Sequence, residues 1–164
     1  MATEETTRQT GRSMSPRAKA IFRLVTRAHA ALYRRTGGKV AGSMRGRNRV
    51  KSPVLLLNTV GRRTGKPRTS PLLYLEDGQD LVIVASAGGA AKHPDWWLNL
   101  EANPETTVEV GSEVIPVRAE LATGAGRERL WQKLVEMYPG YADYQKRTSR
   151  KIPVVILRRK HQGD

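Results

Sequence analysis

From residue 53 onward, short apolar blocks alternate with turn residues at close intervals. "VLLLNTV" (54–60) reads as a buried strand, and "SPLLYLE" (70–76) and "DLVIVAS" (80–86) flank an Asp77-Gly78-Gln79 hairpin signal. "TTVEV" (106–110) and "EVIPVRAEL" (113–121) flank Gly111-Ser112, a favoured two-residue hairpin loop. "PVVILR" (153–158) is a last strand. Two helices interrupt, one over 94–102 between Pro94 and Pro104 and one over 125–137, and a third short helix begins at Pro139. Six strands arriving as successive hairpins predict a mainly β protein, an antiparallel sheet closed into a barrel with helices at its side. The scarcity of strand–helix–strand units argues against a doubly wound sheet.

The first third of the chain has a different texture. Residues 1–15 are polar without periodicity and read as a disordered tail. Ser15 and Pro16 signal a helix start. Over 17–35, Ile21, Leu24, Val25, Ala28 and Leu32 recur at helical spacing, with Lys19, Arg23, Arg27 and Arg34 largely off that stripe. The segment 36–52 reads as a Gly-rich basic linker. The expected organisation is therefore a tail (1–15), a basic amphipathic helix with its linker (16–52) and a barrel (53–160). The apolar stripe has two possible fates: insertion into an anionic membrane surface, or packing on the barrel.

Charge sharpens this division. The chain of 164 residues carries a net charge of +14, of which residues 1–51 contribute +11 and the remainder +3. A basic arm of this kind raises nucleic acid as a partner, but Phe22 and Tyr33 are its only aromatics, which argues against base stacking. There is no cysteine, and the three histidines are scattered. Disulfides and thiolate chemistry are excluded, a zinc site is disfavoured, and no Ser-His-Asp set or metal-ligand cluster is supported. No apolar stretch is long enough to span a membrane, and no signal peptide is evident. These features point to the cytoplasm.

Three segments carry candidate chemistry. "GRRTGKPR" (61–68) places Arg62, Arg63, Lys66 and Arg68 in one turn of a nearly neutral body. It is not a P-loop: three residues, not four, separate the glycines, and Pro67 stands where a magnesium-binding hydroxyl belongs. A solvated turn is the simpler reading, and an oligoanion cradle built from backbone N–H groups and cations is the functional one. "ASAGGAAKHPDWWLNLEANP" (85–104) has an open Gly88-Gly89 backbone after Ser86, followed by Trp96, Trp97 and Asn99. It suits either a capped, core-anchored helix or a flat-ring ligand on exposed N–H groups. "EMYPGYADYQ" (136–145) repeats tyrosine at 138, 141 and 144, one helical face that is either a packing stripe or a pocket wall of phenols.

With these three segments in this order, the stretch from Pro53 to Leu157 resembles the deazaflavin-dependent nitroreductase and quinone reductase family of actinobacteria. These are split β-barrel (FMN-binding-like) proteins that use coenzyme F420. The resemblance implies that Arg62, Arg63, Thr64, Gly65, Arg68 and Pro71 clamp the coenzyme's phosphate and glutamate tail. It implies that Ser86, Ala87, Gly88 and Gly89 run along the deazaflavin ring, with Trp96 and Asn99 shaping the site. Tyr138, Tyr141 and Tyr144 would form the acceptor side, and Ser86 and the tyrosines would be the catalytic hydrogen-bond donors. Two positions depart from the family pattern. Ala87 stands where a lysine follows the serine, with Lys66 or Lys92 as possible replacements for the charge. Leu73 stands at a tyrosine position, with Tyr74 beside it facing the other way.

The expected activity is hydride transfer from reduced F420 to a quinone, a nitroaromatic or an activated alkene. The competing expectations are the same barrel holding FMN or haem, and a basic arm acting as a nucleic-acid or membrane-surface module at the inner face of the plasma membrane. FMN has one phosphate and no polyglutamate tail, so a clamp of four cations would be excessive for it.

Overall fold

The computed structural model describes residues 14–45 and 51–160. The expected tail lies outside them except at its last two residues. In chain order the elements are α1 (Pro16–Thr36), β1 (Ser43–Arg45), β2 (Lys51–Val60), β3 (Pro67–Leu73), β4 (Leu75–Asp77) and β5 (Asp80–Val84). There follow a single 3-10 turn (Ala87–Gly89), α2 (Asp95–Ala102), β6 (Glu105–Val110), β7 (Glu113–Leu121), α3 (Gly124–Met137), α4 (Gly140–Lys146) and β8 (Val154–Arg159).

All strand pairs are antiparallel, in the order β3–β2–β6–β7–β8–β5–β4. The two ends of this ladder, β3 and β4, are consecutive in the chain and separated only by Tyr74. One extended segment thus pairs with β2 through its first part and with β5 through its last, and the sheet curls into a split barrel. The single strand expected over 70–76 is split because the chain changes partners at Tyr74, whose ring turns into the core. The expected linker also needs correction: Ser43–Arg45 pairs with β2 at Lys51 to Pro53, because β2 starts three residues before the apolar run and offers free ladder groups there.

Two strands are buried on both faces, which is why they read as unbroken apolar runs. In β2, Leu55 and Leu57 fill the barrel interior with Trp96, Trp97, Leu100, Val108, Val117, Val155 and Leu157, while Val54 and Leu56 lie beneath α1. In β5, Leu81 and Ile83 point inward, and Val82 and Val84 are covered by α3 and α4 through Leu130, Leu134 and Tyr141.

Helix α1 begins as its sequence directs: the Ser15 hydroxyl accepts from Ala18 N–H, and Pro16 occupies the first turn. It ends at Gly37 in the left-handed region (φ 56°). It docks through Ala30 and Tyr33, not through the predicted stripe. Ile21, Phe22, Leu24 and Val25 are 60–69% exposed, and Ala28 and Leu32 are exposed too. Packing of the stripe on the barrel is therefore ruled out, because the opposite face is the one held. The Tyr33 hydroxyl donates to the Val54 carbonyl (3.0 Å) and accepts from Gly111 N–H (2.8 Å), so α1 is pinned to β2 and to the β6–β7 turn at once. Arg34 adds a two-pronged contact to Glu109, whose carboxyl it holds below the usual carboxylate range.

Tyr33 is 1% exposed, so removing its hydroxyl strands two backbone groups without changing shape. Tyr33→Phe is expected to cost about 1–3 kcal/mol of stability. In urea unfolding the midpoint should fall while the slope stays unchanged.

Candidate functional site

Because every neighbouring pair in the ring is antiparallel, β2 and β5 run the same way and β8 runs opposite. The turn after β2, the loop after β5 and the loop before β8 therefore share one rim. That rim gathers the basic turn, the glycine loop and Arg150.

The basic turn is closed by its own backbone: Gly61 N–H donates to the Lys66 carbonyl (2.9 Å) and Gly65 N–H to the Gly61 carbonyl (2.7 Å). Gly65 sits at φ +64°, and a Cβ there would meet nothing within 4 Å. Arg62 is oriented by α2: the Asn99 side-chain oxygen accepts from both its backbone N–H (3.1 Å) and its Nη1 (3.2 Å), and Asp95 lies 3.4 Å from Nη1. Asn99 is 5% exposed and donates in turn to the Thr59 hydroxyl (3.4 Å). The carboxamide therefore serves to aim Arg62. Arg63, Lys66 and Arg68 have no acidic partner within salt-bridge distance among the described residues, which leaves three cations of one turn for an external anion. Pro71 does not join them, since three positions along the regular β3 ladder place it on the face opposite Arg68.

The glycine loop presents backbone. Ser86 is in the right-handed region (φ −75°, ψ −36°), and Ala87 has a positive φ of 46°. Gly88 lies at φ +64° with open space where a Cβ would be. Gly89 is different: a Cβ there would come within 2.6 Å of the Tyr144 carbonyl, so this glycine is required by the close approach of α4. Trp96, 9% exposed, belongs to the barrel core and supports α2 from below.

The three tyrosines cluster, but not on one helix. Tyr138 caps the end of α3, and Tyr141 and Tyr144 lie on α4. The Tyr138 and Tyr144 hydroxyls are 3.2 Å apart, and Tyr141 packs edge-on to both rings. Tyr141 is buried among Val82, Val84 and Leu134, and burial pushes its phenol pKa up. It is thus a packing residue with the half-buried Tyr138 and Tyr144 in front of it. Tyr74 is buried inside the barrel while Leu73 packs outward, so Tyr74 does not stand in for Leu73.

Sequence reading missed Arg150, Gln145, His93 and Thr59. Arg150 donates to the carbonyls of Ala85, Ser86 and Ala90, and Gln145 holds the Arg150 backbone. No periodicity marks such residues, because they act on backbone atoms brought near by the fold. His93 faces Arg150 Nη1 through Nδ1 at 3.1 Å, and burial together with that cation lowers its pKa.

A split barrel with three cations of one turn lacking an acidic partner among the described residues, and an open glycine backbone on the same rim, has the make-up of a split-barrel oxidoreductase for a coenzyme with an anionic tail. The profile of the F420H(2)-dependent quinone reductase family matches residues 25–159, and the chain belongs to that family. It is 42% identical over 137 residues to an F420H(2)-dependent quinone reductase of Mycobacterium tuberculosis, covering 82% of this chain and 89% of that one. Among solved structures it matches an F420-H2 dependent reductase, FDR-A, at 43% identity and TM-score 0.60, over 64% of this chain and 93% of that one. A domain-swapped dimer matches at 36% identity and TM-score 0.62, over 82% and 96%. The protein is an oxidoreductase that draws its hydride from reduced coenzyme F420.

The pH dependence of the rim follows from His93. Its folded pKa lies below the ordinary imidazole value of about 6.5, so the stability of the neutral ring is complete above that value. It is lost as pH falls from 6.5 toward the lowered value. Unfolding free energy measured between pH 8 and 5.5 should fall over that window, and His93→Gln should lose less of it.

Proposed function

We propose that the rim binds F420 across the basic turn and the glycine loop, and delivers its hydride to a quinone lying on the tyrosine side. The observation that carries this reading is the shared rim: three cations with no acidic partner among the described residues and an open run of backbone N–H groups, with α2 reaching the basic turn through the contact of Asn99 with Arg62. Arg62, Arg63, Thr64, Gly65 and Arg68 hold the phosphate and glutamate tail; Pro71 only shapes the strand behind them. Ser86, Ala87, Gly88 and Gly89 underlie the ring. Bound F420H2 supplies the hydride. Tyr138 and Tyr144 offer hydroxyls to the oxygen that gains charge in the acceptor, and the buried Tyr141 keeps their rings in place. Other electron-poor acceptors, nitroaromatics and activated alkenes, fit the same donors.

Titration of the protein with oxidised F420, FMN and FAD, followed by quenching, tests the cofactor. F420 should bind far more tightly than FMN. The double variant Arg62→Ala, Arg68→Ala should weaken F420 binding by about tenfold or more and flatten its salt dependence. Equal FMN affinity would sink the reading.

Tyr138→Phe and Tyr144→Phe should each lower quinone turnover by about tenfold or more, while F420 affinity stays unchanged. Loss of the coenzyme in both variants would show the partition of the site to be wrong.

The exposed row Ile21, Phe22, Leu24 and Val25, bordered by Arg17, Lys19, Arg23 and Arg27, suits peripheral attachment to an anionic membrane at the cytoplasmic face, where lipid quinones reside. Among the described residues no helix is long and apolar enough to cross a membrane. The full-length protein should sediment with anionic liposomes at low salt, and Ile21→Asp with Val25→Asp should abolish this without affecting reduction of a soluble quinone. A size-exclusion run of the same variant checks the rival occupant, since a shift from dimer to monomer would assign the row to a second copy.

A further inference from the structure

We propose that Arg150 is a positioning residue for the coenzyme's ring, holding the Ser86-Ala87-Gly88 backbone as a concave set of N–H donors for an electronegative ring oxygen. The inference rests on the reading of residues 86–89 as the ring site.

Arg150 lies in the loop between α4 and β8, and its side chain makes no ion pair among the described residues. Its guanidinium is spent on three carbonyls and one imidazole: Nη2 donates to Ser86 O (2.7 Å), Nη1 to Ala85 O (3.2 Å) and Nε to Ala90 O (2.8 Å), while Nη1 also lies 3.1 Å from His93 Nδ1. A trans peptide directs its N–H opposite to its C=O. Drawing the Ala85 and Ser86 carbonyls toward Arg150 therefore turns the N–H groups of Ser86 and Ala87 to the other side. Neither of these N–H groups, nor that of Gly88, has an acceptor among the described residues.

The local backbone agrees. A right-handed residue followed by one of positive φ, here Ser86 then Ala87, makes successive N–H groups converge on a concavity that accepts an anion or an electron-rich oxygen. Alanine at φ +46° is uncommon and needs support from its surroundings. Arg150 from one side supplies that support, and the Gly89 N–H to Ser86 O bond (2.9 Å) supplies it from within the turn. Donors fixed at a ring oxygen favour the ring state that carries more negative charge there.

Arg150 also links the two sides of the site. Its own carbonyl accepts from Gln145 Nε2 (2.8 Å), and the Gln145 oxygen accepts from Ile152 N–H (3.0 Å). Gln145 follows Tyr144 on α4, whose carbonyl is the group that Gly89 approaches. The ring loop and the acceptor-side helix are thereby held at one spacing by one arginine.

The test uses full-length Arg150→Met and Arg150→Lys proteins. F420 affinity should fall by about tenfold or more in Arg150→Met, the scale of one lost charge-assisted hydrogen bond. The salt dependence of binding should stay as in the wild type, because Arg150 does not face the anionic tail. In the free protein, hydrogen exchange at Gly89 and Ala90 should quicken in this variant while the β8 amides keep their protection. Quickened exchange throughout β8 would instead mark a general role in the fold and overturn the inference. Should Arg150→Met fail to fold, Arg150→Lys decides: an ammonium cannot span three carbonyls, so affinity should still fall, and full retention overturns the proposal. A normal response of the Arg62/Arg68 variant beside an unaltered Arg150→Met overturns this inference alone. Failure of the wild type to bind F420 overturns the functional reading beneath it.

Discussion

The ring of antiparallel pairs is the constraint on which the site depends. It forces the C-terminal ends of β2 and β5 and the N-terminal end of β8 onto one rim, although they are far apart in sequence. The ring closes because the chain from Pro67 to Asp77 changes partner at Tyr74. A basic turn on β2 and a glycine loop on β5 would have no reason to cooperate in an open meander. In a closed ring they share one rim, and α2, which follows the glycine loop, reaches the basic turn through Asn99.

Burial on both faces makes the ring rigid enough to hold that geometry. Leu55 and Leu57 face the interior while Val54 and Leu56 face α1, so β2 has no solvated side. β5 is enclosed in the same way by the interior and by α3 with α4. The proposed site would then use exposed turns on a fixed frame, where backbone N–H groups and cations could meet a ligand without reorganising. The N-terminal helix is part of this frame at its C-terminal end only. Tyr33 fastens it to β2 and to the β6–β7 turn, and its first turns carry an apolar row outward.

The proposed site divides its labour on physical grounds. Charge is assigned to the coenzyme's anionic tail, at a turn where Arg63, Lys66 and Arg68 have no acidic partner among the described residues. Backbone donors are assigned to the flat ring, where side chains would obstruct. Phenols are assigned to the acceptor, where a hydrogen bond to a developing anion matters most. Membership of the F420H(2)-dependent quinone reductase family identifies the coenzyme.

The antiparallel barrel, the helix starting at Ser15 and Pro16, the hairpin at Gly111-Ser112 and the three candidate segments are all legible in the sequence. Each depends on local pattern: apolar period, turn residues and charge density. The break at Tyr74 and the short strand at Ser43 are not, because pairing partners and not propensity decide them. The face of α1 that docks is not legible either, since its most apolar stripe is exposed while Ala30 and Tyr33 make the contact. The burial of Tyr141 and Trp96, the opposite face of Pro71 and the contacts of Arg150 with three loop carbonyls were likewise decided by tertiary structure alone. Residue type sets what a side chain can do, but burial, facing and the backbone groups within reach are set by distant segments, and those meet only when the ring closes.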